Sequence, residues 1–65
     1  MIVTHRDLQA MRYCNKGTRE FFQRHGLDWS RFIKEGLPEE EFIATGDYMA
    51  LKLVEFAREQ RNGWQ

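Results

Sequence analysis

The sequence predicts an all-α domain: a compact bundle of four or five short helices with a longer helix at its C-terminal end. Three observations carry that expectation. Glycines at 26, 36 and 46 each close a short run with helical spacing. Each is followed by a residue or pair that restarts a helix: Asp28, then Leu37-Pro38, then Asp47. Aromatic residues make up 14% of the chain, enough to build a core and too many for a disordered segment.

Length and cysteine usage bound the rest. The 65 residues make one domain, residues 1–65, with no room for a second. A chain this short buries only about 60% of the surface its unfolded form exposes, so modest stability is expected. Cys14 is the sole cysteine, which removes any disulfide framework and fits a reducing cytoplasm. No signal-peptide pattern opens the chain, and no apolar run approaches the roughly 20 residues of a membrane span. The expected location is therefore cytoplasmic, without a membrane partner.

The first predicted helix runs from about His5 to Tyr13. Thr4 is its N-cap, and Asp7 stands where a capping box places its acidic partner. Ile2 and Val3 precede it, and any strand they form is too short to build a sheet alone. Cys14 to Gly17 reads as a corner, with Asn15 as the cap of a second helix over Lys16 to His25. There Phe21, Phe22 and His25 share one side, and Gly26 ends it. Asp28 caps a third helix, Trp29 to Glu35, in which Trp29, Phe32 and Ile33 follow i, i+3, i+4 spacing. Pro38 suits the first turn of a fourth helix. Glu39, Glu40 and Glu41 then meet the positive end of its dipole, and Phe42, Ile43 and Ala44 supply the buried side. Thr45-Gly46-Asp47 turns into the fifth and longest helix, about Asp47 to Arg61. Its apolar stripe is Met49, Ala50, Leu53, Val54, Phe56 and Ala57, while Tyr48 and Leu51 fall towards the polar side. The expected core is Leu8, Met11, Phe21, Phe22, Leu27, Trp29, Phe32, Ile33, Phe42, Ile43, Met49, Leu53, Val54 and Phe56.

Formal net charge is zero, but the charges are segregated. Residues 1–34 carry Arg6, Arg12, Lys16, Arg19, Arg24, Arg31 and Lys34 against Asp7, Glu20 and Asp28. Residues 35–65 carry Lys52, Arg58 and Arg61 against Glu35, Glu39, Glu40, Glu41, Asp47, Glu55 and Glu59. The favoured explanation is attraction between the halves, within the fold or across a dimer. The sharper alternative is a basic surface for an acidic partner.

Chemistry-bearing patterns are sparse. His5, Cys14 and His25 match no spacing of paired metal ligands, so no metal or other cofactor is expected. A Cys14–histidine nucleophile has no oxyanion loop to work with, and Cys14 reads as a small apolar filler, so no enzymatic activity is expected. Nucleic-acid binding would use the basic face Arg12, Lys16, Arg19, Arg24 and Arg31. Overall neutrality and poor helix-turn-helix spacing weigh against it. Protein association ranks first. Its candidate interface is Tyr48, Leu51, Glu55 and Trp64, with a homodimer through the outer face of the last helix as one form of it.

Tyr13-Cys14, Gly17, Arg19, His25-Gly26-Leu27-Asp28-Trp29, Phe32, Gly36-Leu37-Pro38 and Ala44-Thr45-Gly46-Asp47 with Met49-Ala50 together span nearly the whole chain. This pattern resembles a group of short proteins encoded in bacteriophages and prophages of Gram-negative bacteria. The resemblance implies a genomic setting, and hence a bacterial host cell, and carries over no functional residue. It favours an accessory protein of virion assembly, host takeover or regulation over an enzyme.

Overall fold

A computed structural model describes residues 1–62. Trp64 of the expected interface lies outside the described residues. The order is β1 (Ile2–Val3), α1 (His5–Ala10), α2 (Asn15–Arg24), α3 (Trp29–Glu35), β2 (Leu37–Pro38), α4 (Glu39–Ile43) and α5 (Tyr48–Asn62). The fold is a small all-α globule, as the glycine and cap pattern predicts. The addition is a ladder of two residues per strand: β1 pairs antiparallel with β2, Ile2 opposite Pro38 and Val3 opposite Leu37.

The ladder depends on Gly36. Its φ of 84° is left-handed, and a Cβ built there would lie 2.6 Å from Ile2 Cγ2 and 2.7 Å from the Val3 carbonyl oxygen. Glycine ends α3 and also lets β1 lie directly against the chain. Pro38 is thus the N-cap of α4 and a ladder residue rather than a member of the first helical turn.

Two carboxylates pin this strap to α5. Asp7 closes the α1 capping box, accepting the Thr4 N–H at 2.9 Å, and its other oxygen accepts from Arg61 Nη1 at 2.9 Å. Arg61 also donates to the Ile2 carbonyl at 3.0 Å. Glu39 accepts from Arg58 Nε at 2.7 Å, and its second oxygen lies 3.2 Å from the Met1 amino nitrogen. Asp7 and Glu39 are only 5% and 8% exposed. The helix dipole alone does not account for Glu39, whose main partners come from α5 and the chain start.

The core centres on Phe22, whose ring centroid lies 5.1 Å from Trp29, 5.0 Å from Phe32 and 5.7 Å from Phe42. Val3, Leu8, Leu37, Ala50, Leu53, Val54 and Ala57 complete the buried set. Met11, Phe21, Leu27 and Trp29 pack at its edge, and Phe56 is partly buried. Ile33, Ile43 and Met49 belong to the exposed surface, as does Ala44. The short helices α3 and α4 each bury a single aromatic, Phe32 and Phe42, and the neighbouring isoleucines turn out to solvent. Val3 and Leu37 take their place because the ladder carries them inwards.

Helix α1 stops three residues earlier than its spacing predicts. The Arg12 N–H bonds to the Gln9 carbonyl and the Tyr13 N–H to the Leu8 carbonyl, the bond pair of a Schellman motif. Arg12 occupies the left-handed position at φ 61° that glycine usually fills. Helix α2 ends the same way with Gly26, whose N–H bonds to Gln23 and is followed by Leu27 bonding to Phe22. At its start Cys14, not Asn15, is the N-cap residue, and it is exposed rather than buried as a filler.

The close approach at Gly36 gives a stability prediction. Gly36→Ala should destabilise by about 2–4 kcal/mol, because it clashes and strains φ together. Arg12→Gly should stabilise by up to about 1 kcal/mol by removing left-handed strain. Urea midpoints at constant m-value check both.

The pinned carboxylates give a pH prediction. Burial would raise Asp7, but hydrogen bonds from Arg61 and Thr4 outweigh it and hold the carboxyl below its ordinary value of 3.8. Hydrogen bonds from Arg58 and the Met1 amine hold Glu39 below 4.5. A depressed carboxylate contributes its stability in full above its unfolded pKa and loses it as pH falls through the folded one. The melting temperature should therefore hold from neutral pH down to about 5 and fall below about 4. The double variant Asp7→Asn, Glu39→Gln should melt lower at neutral pH and show a flatter acid limb in a thermal-melt series.

Candidate protein-binding surface

The surface begins at the Thr45-Gly46-Asp47 corner. Gly46 takes φ 70°. Thr45 Oγ1 donates to the Phe42 carbonyl at 2.7 Å and accepts the Asp47 N–H at 3.1 Å. Asp47 then accepts the Ala50 N–H at 3.0 Å and caps α5. These bonds fix the rotation of α5. Ala50, Leu53, Val54 and Ala57 face the core, and Tyr48, Leu51 and Glu55 face out.

Tyr48 is 68% exposed and Leu51 40%. Lys52 lies beside them, its Nζ 5.5 Å from the Tyr48 ring centroid and 3.7 Å from Glu55 Oε1. Glu55, and then Tyr48, raise the Lys52 pKa above its ordinary value. Helix α5 therefore presents an aromatic and an aliphatic side chain bordered by one ion pair. Met49 adds to this, 51% exposed, with the Tyr13 hydroxyl donating to its sulfur at 3.9 Å. Burial, followed by the neighbouring Tyr48 and Asp47, raises the Tyr13 pKa.

Met49 also forms one wall of a groove of about 280 Å³ between α2 and the first half of α5. Tyr13, Cys14, Gly17, Thr18, Phe21 and Arg24 line the other side, over a floor that includes Leu8, Phe22, Phe42 and Leu53. The Arg24 guanidinium sits 6.0 Å from the Phe21 ring centroid. The lining is mostly apolar. Asp47 is its one carboxylate, already engaged as the α5 cap. Hydrophobic spacing puts Met49 and Phe21 in the core, whereas in the structure both line the groove. The wheel of α5 held the signal: Ala50, Leu53, Val54 and Ala57 alone make a continuous stripe, leaving Met49 at its edge.

The five cations of the expected nucleic-acid face do not come together. Lys16 and Arg19 line a separate recess with Asn15, Glu20, Gln23, Leu27 and Trp29, so a carboxylate stands among its cations. Arg24 belongs to the α2–α5 groove. Arg31 is held by Glu35 at 3.3 Å and Glu41 at 3.7 Å. Arg12 sits exposed in the turn after α1. Of the seven cations in the first half, Arg31 alone pairs with second-half carboxylates among the described residues. Arg6, Arg12, Lys16, Arg19, Arg24 and Lys34 form no ion pair there. Attraction between the halves is present in Arg31 with Glu35 and Glu41, Arg61 with Asp7 and the Met1 amine with Glu39, and it leaves the other six first-half side-chain cations without an ion pair among the described residues.

The remaining titratable groups have local partners or stand alone. His5 pairs with Asn15 at 3.3 Å and sets its ring edge-on to Trp29 at 5.9 Å. His25 leans on Phe21 at 4.5 Å. No group of three or more His, Cys, Asp or Glu side chains suited to a metal occurs among the described residues. No helix among them is long and apolar enough to cross a membrane.

The Cys14 thiol sits at the start of α2, where the N–H groups of Gly17 and then Lys16 lower its pKa from the ordinary 9.0. In the folded protein Cys14 should be alkylated by iodoacetamide faster at neutral pH than in the urea-unfolded chain. The half-maximal rate should fall below pH 9.0, as a pH–rate series will read. No protein-family model, curated protein or solved structure matches the chain, so its surface is read from its own residues.

Proposed function

We propose that this is a non-enzymatic accessory protein of a phage or prophage, acting in the cytoplasm of the bacterial host by binding another protein. The single observation that carries the reading is the run of exposed apolar side chains Tyr48, Met49 and Leu51 beside an apolar groove. Aromatic and methionine side chains of this kind are enriched at protein interfaces. They lie on the start of the longest helix, which Asp47 caps. The phage resemblance supports an accessory role in assembly or host control. Self-association through the outer face of α5 is one form this binding takes.

A second reading, a nucleic-acid-binding regulator, is favoured by Lys16 and Arg19 standing with Gln23 beside the partly exposed Trp29. Cations next to an aromatic ring suit a single strand.

A photo-crosslinker at position 48, Tyr48→p-benzoylphenylalanine, should give a covalent adduct with a protein in host cells, while one at Lys34 gives none. Sedimentation of wild type against Leu51→Glu separates a homodimer from a heterologous partner. Absence of any adduct together with a monomer at high concentration sinks the protein-binding reading. A salt-dependent gel shift, weakened by Lys16→Glu with Arg19→Glu, would move the assignment to nucleic acid.

A further inference from the structure

We propose that Met49 is an oxidation site: a hydroperoxide converts its thioether to the sulfoxide, the Tyr13 hydroxyl holds the new oxygen, and the change closes the candidate surface to its partner. The last step rests on the protein-binding reading. The oxidation and the Tyr13 contact stand on the fold alone.

Access singles out this sulfur among the three methionines. Met49 is 51% exposed. Met11 packs at the edge of the core. The Met1 side chain, which carries its sulfur, is 16% exposed where the chain start meets Glu39. A peroxide arrives from solvent, so the most accessible thioether reacts first.

The surroundings of Met49 suit the product better than the reactant. Tyr13 Oη lies 3.9 Å from Met49 Sδ. A thioether sulfur is a weak acceptor, whereas a sulfoxide oxygen is polar. An O–H···O bond spans about 2.7–2.8 Å, so an oxygen added on the Tyr13 side of the sulfur fills the gap between them. Both partners are held in place. The Tyr13 N–H bonds to the Leu8 carbonyl, and Met49 lies in the first turn of α5, which Asp47 caps. The sulfoxide is chiral, and its two epimers present the oxygen differently, so a fixed donor favours one of them.

The step balances with the oxidant. A Met49 sulfur lone pair attacks one peroxide oxygen, and the O–O bond breaks as the S–O bond forms. With a proton transfer the other oxygen leaves as water or an alcohol. Sulfur gives up two electrons and the peroxide takes them. Methionine sulfoxide reductases, drawing electrons from thiols, return the thioether and release the oxygen as water. The consequence falls on the groove, where Met49 forms one wall and Tyr13 lines the other. A sulfoxide there replaces an apolar contact with a polar one, between the exposed Tyr48 and Leu51.

The test uses Cys14→Ser, which keeps a capping residue at the start of α2 and removes an exposed thiol that also consumes peroxide. Under limiting hydrogen peroxide, peptide mapping should place the first added oxygen on Met49, ahead of Met1 and Met11. In urea that order should be lost. NMR should show unequal methyl signals for the two Met49 sulfoxide epimers, and Tyr13→Phe should level them without moving the oxygen to another methionine. The oxidised, still folded protein should lose the Tyr48 photo-adduct in host extract and regain it after treatment with reductases for both epimers. Oxygen found first on Met1 or Met11, or equal epimers in the folded protein, overturns the site. A folded protein oxidised at Met49 that crosslinks as before overturns the closure. If the unoxidised protein gives neither adduct nor self-association, the protein-binding reading and the closure fall together, while the oxygen's position and the epimer ratio still decide the site.

Discussion

The fold depends on a strap: Ile2–Val3 laid against Leu37–Pro38 across a glycine with no room for a side chain. None of the first four helices exceeds ten residues, and helices so short are marginal in water by themselves. The strap turns them into one body. It carries Val3 and Leu37 into the core and brings Asp7 and Glu39 against Arg61 and Arg58. Removing one member of such a pair leaves a buried carboxylate uncompensated, so these contacts matter more than exposed pairs such as Lys52–Glu55.

The candidate binding surface inherits its geometry from that arrangement. Arg58 and Arg61 anchor the far half of α5, and the Thr45–Asp47 corner anchors its start. Helix α5 is therefore fixed at both ends, and its rotation decides that Tyr48 and Leu51 face solvent while Met49 edges the groove. On the opposite wall, α2 is held by Phe22 at the centre of the aromatic cluster. A groove between two such elements is preformed, which lowers the ordering cost of binding.

Local signals were legible in the sequence, and long-range ones were not. Asp28 caps α3 through the Arg31 N–H, Asp47 caps α5, and Gly26 ends α2, each as a one-residue rule predicts. Tyr48 and Leu51 were placed outward by wheel geometry alone. The premature end of α1 was hidden because arginine fills a glycine position. Glu39 looked like a dipole residue because its partners lie 19 residues away at Arg58 and at Met1. Ile33 and Ile43 were assigned to the core because periodicity gives a face but not its width. The α5 wheel puts Met49 at the edge of the apolar stripe, but no pattern within one helix reports that α2 residues face it across a groove.

The segregated charges are best understood through what the fold leaves unpaired. The halves do attract at particular points: the Met1 amine meets Glu39, Arg31 meets Glu35 and Glu41, and Arg61 meets Asp7. The buried carboxylates Asp7 and Glu39 are matched by α5 arginines, and Glu39 by the Met1 amine as well. Arg12, Lys16, Arg19 and Arg24 are left outside that scheme, and α2 offers only Glu20 against its three cations. A domain that buries so little surface gains nothing from uncompensated like charges on one short helix.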